Sequence, residues 1–405
     1  MSAILQNIKV LDLTRVIAGP LCTQHLADMG ATVYKIEKPN DGDDTRRMGP
    51  FLPDEDGKDS NDSALYLAYN RGKHSVTIDI SQAQGADLVR QLAAQCDVVV
   101  ENYKAGGLKK YGLDYASLQK IKPDLVYCSL TGFGQTGPMA QRPAYDFILQ
   151  GMAGMMSTCG QPEGSAGAGP MRTSIPITDV VTGQNAAIAI LGALFHHQRT
   201  GEGQYIDCAM IDSAVALNGH LALGYLMTGK SPERVGNTNP IASPSEVFAC
   251  ADGQLIIAAG NNAQFSACCQ VLGMPELAKQ AEFATNASRV ANRDSLRSAM
   301  AEAVLKHSRS VLLDALENAG VPCGPINDMA QVFAEPQTQH RALALTLQHG
   351  RQTDIPTLRS PLNFSRTPVM HLTPPQLGAH TVQVLQEVLL LPPEALASLA
   401  KSEVI

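Results

Sequence analysis

The 405-residue sequence predicts an α/β protein, with one domain built on a mostly parallel sheet and a second, smaller α+β domain. Three observations lead there. Compact apolar runs alternate with helix-length segments from Ile8 to Leu130, the pattern of strand–helix–strand units. The chain is too long for one ordinary core. The pattern then breaks over Pro232 to Pro244, where Gly236, Asn237, Asn239 and Pro240 gather before a hairpin pattern begins.

In chain order, Ile8 to Leu13 reads as the first strand, Thr14 to Pro20 as a loop, and Leu21 to Met29 as a helix stopped by Gly30. Ala31 to Glu37 completes a strand–helix–strand unit. Its first turn, Val16-Ile17-Ala18-Gly19-Pro20, lacks the phosphate-cradling glycines that a nicotinamide site needs. Pro39 to Ser63 is polar and reads as a long loop, of the kind that is usually functional or mobile. Strands follow at Ser75 to Ile80, Asp97 to Glu101 and Leu125 to Leu130, with a helix at Ala83 to Gln95. Asn102-Tyr103 lies at the carboxyl end of the strand closed by Glu101, the edge where open α/β sheets bind ligands. The loops of this half carry Lys38, Arg46, Arg47, Arg71, Lys73, Lys104, Lys109 and Lys110, a grouping that suits a small polyanionic ligand.

Beyond Arg142-Pro143-Ala144-Tyr145-Asp146, where Asp146 reads as a helix cap, a Gly- and Met-rich stretch leads to Ser174-Ile175-Pro176-Ile177-Thr178-Asp179. An apolar run, Asn185 to Phe195, reads as a buried helix. Asp179 therefore stands at a loop-to-helix junction. Two readings stay open for it: an N-cap carboxylate, or a nucleophile held where free N–H groups and the helix dipole favour an anion. Gln204 to Ala209 is a further strand. Ser245 to Cys250 and Gln254 to Ala259 form a hairpin about Asp252-Gly253, and a helical region runs to about Ala319. The tail ends in one amphipathic helix.

Composition narrows the function. A net charge of −7 argues against a nucleic-acid partner. No basic region precedes a long apolar run at the N-terminus, so neither a signal peptide nor a membrane span is expected. The nine cysteines, scattered and without a Cys-x-x-Cys, fit reduced thiols in the cytoplasm. No cysteine–histidine set has zinc spacing, so no metal is expected, and no Gly-x-x-x-x-Gly-Lys-Ser/Thr loop points to ATP. A Gly-x-Ser-x-Gly elbow is also missing. What remains is a lone carboxylate and a basic ligand-binding edge.

Over essentially its full length the chain resembles the class III (CaiB–BaiF) CoA-transferases. The carrying motifs are Leu11-Asp12-Leu13-Thr14-Arg15-Val16 with Ala18-Gly19-Pro20, Gly42-Asp43-Asp44-Thr45-Arg46, Val100-Glu101-Asn102-Tyr103, Thr131 to Pro138, Arg142 to Asp146, Asp179 to Gly183, and Leu377-Gly378-Ala379-His380-Thr381. Gly260 to Phe265 and Val321 to Asn327 resemble the succinyl-CoA:glutarate branch in particular. The resemblance implies a Rossmann-like large domain over 1–225, a small α+β domain over 226–330, and a tail, 331–405, that returns to the large domain. It also implies an interlocked homodimer.

By the same resemblance Asp179 is the nucleophile, coenzyme A or acyl-CoA is a substrate rather than a permanently bound cofactor, and neither nucleic acid nor membrane is a partner. CoA contacts are implied at Val16, Ile17, Lys38, Ile78, Asn102, Tyr103 and Lys110. Arg46, Arg47, Arg142, Tyr145 and Asp146 are candidates for binding the acid, the arginines by clamping a distal carboxylate. Ile17 stands where formyl-CoA transferases resemble one another in having glutamine, and the small domain lacks their four-glycine run. Two alternatives compete: an α-methylacyl-CoA racemase, for which Tyr145 would be a poor base, and a non-catalytic acyl-CoA-binding protein.

Overall fold

The apolar runs predicted as strands pair side by side. In the computed structural model, which describes residues 3–53, 58–348 and 354–405, β1 (Lys9–Leu13), β2 (Thr32–Glu37), β3 (Lys73–Thr77), β4 (Val98–Glu101), β5 (Val126–Thr131) and β6 (Gln204–Ala209) form one six-stranded sheet. Their order is β3-β2-β1-β4-β5-β6 and every pair is parallel. The order reverses between β1 and β4, where Val10 pairs with Val33 on one side and Val98 on the other.

Period-two alternation sends neighbouring side chains to opposite faces. Val10, Val33, Val98 and Val126 join one apolar core, and Leu11, Tyr34, Val99 and Tyr127 join the other. Helices of this unit include α1 (Ala18–Asp28), α2 (Ala83–Ala94), α3 (Asp146–Met152), α4 (Ile177–Thr200) and α5 (Gly219–Thr228). Cys22 and Leu26 of α1 and Ala186 and Ile190 of α4 cover the first face; Leu88 and Leu92 of α2 cover the second. α4 is long and apolar enough to cross a bilayer, with a mean hydropathy of 1.3, yet it lies along the sheet core.

Two helices start earlier than the sequence suggests. α1 begins at Ala18 rather than Leu21, because Gly19 and Pro20 fit a first turn, where a missing N–H costs nothing. α4 runs over 24 residues instead of starting near Asn185, so Thr182 and Gly183 are helical. Gly183 is no breaker here. A Cβ there would lie 2.5 Å from the Ala18 carbonyl oxygen, so it is the point at which α1 and α4 touch backbone to side.

The chain divides into two compact units: Met1–Met155, Arg172–Lys230 and Gln339–Ile405 in the first, Met156–Met171 and Ser231–Thr338 in the second. The excursion over 156–171 has no counterpart in the expected division. The second unit is a three-stranded antiparallel sheet, β7 (Ser245–Cys250), β8 (Gly253–Ala258) and β9 (Cys323–Pro325), with β8 central. Helices α6 (Asn262–Val271), α7 (Arg293–Val304) and α8 (Arg309–Asn318) complete its core. Fully buried Arg289 ties that unit together by donating to the carbonyls of Ser243, Phe283 and Gly260.

The tail ends in two helices, not one: α9 (Thr381–Leu389) and α10 (Pro393–Lys401). It laces onto the edge strand β3, as Gly378 N donates to Ser75 Oγ at 2.9 Å, His380 N to Ser75 O at 3.0 Å, and Thr77 N to Thr381 Oγ1 at 2.9 Å. The Leu-Gly-Ala-His-Thr motif thus covers a sheet edge that would otherwise expose unpaired backbone.

Candidate active site

Asp179 is the third residue of α4, and Gly183 lies one turn on, on the same helical face. The close approach that Gly183 permits brings the start of α1 to this face, where the Ala18 N–H favours the charged form of the Asp179 carboxyl. Half-buried Tyr69 lies near as well. Burial and then the charge of Asp146 push the Asp179 carboxyl up to about 7, against the pull of the Ala18 N–H. Among the described residues no cationic side chain pairs with it. A carboxyl so placed is basic for its kind and poorly solvated.

Asp146 begins α3 and is 8% exposed. Its Oδ1 accepts from Thr178 N at 2.7 Å and Thr178 Oγ1 at 2.6 Å, and its Oδ2 accepts from Gln150 Nε2 at 2.7 Å. Tyr145 is 71% exposed, and the Arg142 guanidinium sits 5.8 Å from the Phe133 ring centroid.

A crevice of about 400 Å³ opens at the carboxyl ends of the strands, lined by Arg15, Lys38, Asp41, Arg47, Ile78 and Tyr103 among others. Beneath it lies an ionic network. Lys35 Nζ donates to Asp43 Oδ2 and to Thr14 O, both at 2.9 Å, and Lys73 Nζ donates to Asp12 Oδ2 at 3.1 Å. Arg46 grips Glu37 through two bonds of 2.8 Å and lies 3.6 Å over the Tyr66 ring. Although burial alone would raise the Asp43 carboxyl, Lys35 and Thr45 hold it down at about 2. Desolvation pulls the Lys73 ammonium down to about 8.

The network corrects the sequence reading of the cations. Arg46 is spent on Glu37, Arg71 on Asp28 and Lys73 on Asp12, all buried, so these three hold the fold and do not offer charge to a ligand. Arg46 is therefore no clamp for a distal carboxylate. Arg47 is exposed beside Asp41 and Asp44, and Lys38 pairs with Asp41. What the sequence reading missed is Arg15, which lines the crevice 5.5 Å from the Tyr103 ring centroid.

Comparison with known proteins then decides the family. The description of CoA-transferase family III matches residues 5–381. The chain is 46% identical over 385 residues to a succinate–glutarate CoA-transferase of Agrobacterium fabrum, covering 95% of each chain. It is 39% identical to the human succinyl-CoA:glutarate CoA-transferase, over 99% of this chain and 90% of that one. A crystal structure of a CaiB/BaiF family protein from Brucella suis superposes with a TM-score of 0.86 at 44% identity, covering 96% of this chain and all of that one.

The chain belongs to CoA-transferase family III.

The CoA contacts that family resemblance implies fall in three settings. Lys38, Ile78 and Tyr103 line the crevice, and Lys110 lies 4.6 Å over the ring of Tyr111, another lining residue. Asn102 spends its side chain on the Arg15 backbone, accepting from Arg15 N at 2.9 Å and donating to Arg15 O at 2.7 Å. It therefore shapes the turn after β1. Ile17 is buried as the residue preceding α1, so its side chain is not presented to the crevice. Val16 takes φ +72°, a conformation costly for a β-branched residue, while its N–H points at the Asp43 carboxylate, 3.3 Å from each oxygen. The buried Lys35–Asp43 pair thus holds the strained backbone of the turn after β1 in place. Glu101 does the same for Tyr103, accepting from its N–H at 2.7 Å; burial pushes Glu101 up to about 7.

Proposed function

We propose that this family III enzyme moves coenzyme A from succinyl-CoA, or a similar donor, to a small dicarboxylic acid, with Asp179 as the covalent relay. The observation that carries the reading is the half-buried Asp179 carboxyl, with a backbone N–H beside it and no counter-ion among the described residues. The dicarboxylate choice rests on the names of the two similar transferases.

The Asp179 carboxylate attacks the thioester carbonyl carbon. The C–S bond breaks, CoA leaves as a thiolate, and an aspartyl mixed anhydride remains. The thiolate then attacks the Asp179 carbonyl carbon of that anhydride, giving an aspartyl-CoA thioester and the free donor acid. The acceptor carboxylate attacks this thioester, and the released thiolate takes the acceptor acyl group from the second anhydride, which restores Asp179. The electrons balance without ATP, metal or redox partner, because the donor thioester supplies the activation. The Ala18 N–H, beside the Asp179 carboxyl at the start of α1, is read as steadying the oxyanion in the steps where the Asp179 carbonyl carbon is attacked. Water must be kept out, since it would hydrolyse the anhydride.

CoA is read as lying in the crevice of Lys38, Ile78 and Tyr103, at the switch point of a sheet whose strand order supports a Rossmann-like arrangement. A homodimer fits the exposed apolar residues of α4 and α5, with Ile188 at 67% and Leu226 and Met227 at 77% exposure. A reducing cytoplasm suits the nine free thiols. The test is a panel of acyl-CoA donors and free acids followed by mass spectrometry. Transfer to dicarboxylic acids and not to monocarboxylic ones supports the reading. Release of the α-proton without transfer overturns it in favour of racemisation.

A further inference from the structure

α4 has no side-chain cap of its own. The residue before it is Pro176, which makes no capping bond. The missing cap comes from another helix. Asp146 Oδ1 accepts from both the backbone N–H and the hydroxyl of Thr178, at 2.7 and 2.6 Å, and so satisfies a free donor at the helix start with a negative charge. Gln150, one turn along α3, extends the grip. Its Nε2 donates to Asp146 Oδ2 at 2.7 Å and its Oε1 accepts from Thr173 N at 2.9 Å. Both side chains are buried, Gln150 to 1% exposure, while Ser174 and Ile175 of the segment they hold are exposed. An otherwise loose approach to Asp179 is thereby fixed at its two ends.

Resting on the reading of Asp179 as nucleophile, we propose that Asp146 is a positioning residue for the transfer reaction. As the borrowed cap of α4 it fixes the first helical turn and the aim of the Asp179 carboxylate, and it sets a like charge beside that carboxylate without touching the substrate. This replaces the expected substrate-binding role, for which a carboxylate engaged at both oxygens is poorly suited. The groups facing Asp179 are the Ala18 N–H from α1, the Tyr69 phenol from the short helix Ala64–Tyr69, and Asp146 from α3. Of these, Asp146 supplies the charge that holds the proton on Asp179.

Two variants separate aim from charge. Asp146→Asn removes the charge and weakens the cap. It should lower kcat tenfold or more, leave the acyl-CoA KM within twofold, and move the acid limb of the rate profile down by about one pH unit, because a like charge has gone. Thr178→Val keeps the charge and removes one bond. It should lower kcat severalfold with the acid limb unmoved. Wild-type kcat and an unshifted limb in Asp146→Asn would overturn the proposal, as would a raised KM at unchanged kcat, which marks a substrate contact. Should Asp146→Asn fail to fold by its melting curve, wild-type kcat in Thr178→Val would overturn it. Borohydride trapping in the wild-type protein keeps the two readings apart. Label at a residue other than Asp179 removes the nucleophile; label at Asp179 with unaltered variants removes only the role of Asp146.

Discussion

Gly183→Ala places one methyl group where the two helices touch. Its Cβ would lie 2.5 Å from the Ala18 carbonyl oxygen and 3.3 Å from Leu21 Cβ, while ordinary contact begins at 3.4 Å. The nearer contact is backbone, which cannot rotate aside, so α1 must move off by roughly 0.9 Å. Overpacking of this kind costs about 1–3 kcal/mol, and alanine returns about 1 kcal/mol of helix propensity. The net loss should be about 1 kcal/mol, read as a lower urea midpoint at unchanged slope. Activity should suffer more. The shift carries the Ala18 N–H away from Asp179, and a misplacement near 1 Å costs about a hundredfold in rate. Succinyl-CoA and glutarate exchange, followed by mass spectrometry, reads kcat, while CoA titration checks that the crevice is intact. A variant as fast and as stable as the wild type would refute the close approach and with it the placement of the oxyanion donor.

Two more predictions follow from the same geometry. Because Asp179 must be ionised to attack and is pushed up to about 7, kcat/KM should fall tenfold per unit as pH drops below about 7 and level off above it; a profile flat from pH 5 to 8 would contradict this. Arg46→Met takes from buried Glu37 its directly bonded cation, the strongest of the groups that hold its carboxyl down against burial, and leaves it Lys35 nearby and the bonds from Ser75 and the Asp43 N–H. Loss of such a partner costs about 3–5 kcal/mol, measurable by urea unfolding, whereas a residue that merely clamps substrate would leave stability unchanged.

The sheet was legible because its central strands are buried on both faces and so read as unbroken apolar runs: Val98-Val99-Val100 is fully buried. The edge strand β6 is mostly exposed and carries a weaker apolar signal, read as a strand after the turn that ends at Gly203. The cations were harder. A lysine buried against a carboxylate and a lysine facing a ligand look alike in sequence, and what separates them is which acid the fold brings near. One signal was present. The strands end in acids inside apolar runs, at Asp12, Glu37 and Glu101, and a buried charge must find a partner. Pairing those acids with Lys73 and Arg46 would have removed both cations from the ligand edge. The excursion over 156–171 had no signal, since its glycines suit any loop.

The central claim is that Asp179 is acylated and then carries CoA. The protein, mixed with succinyl-CoA alone, reduced with borohydride and digested, should show residue 179 converted to homoserine, the product of a reduced aspartyl thioester. Conversion at another carboxylate, or none while exchange proceeds, would contradict the account.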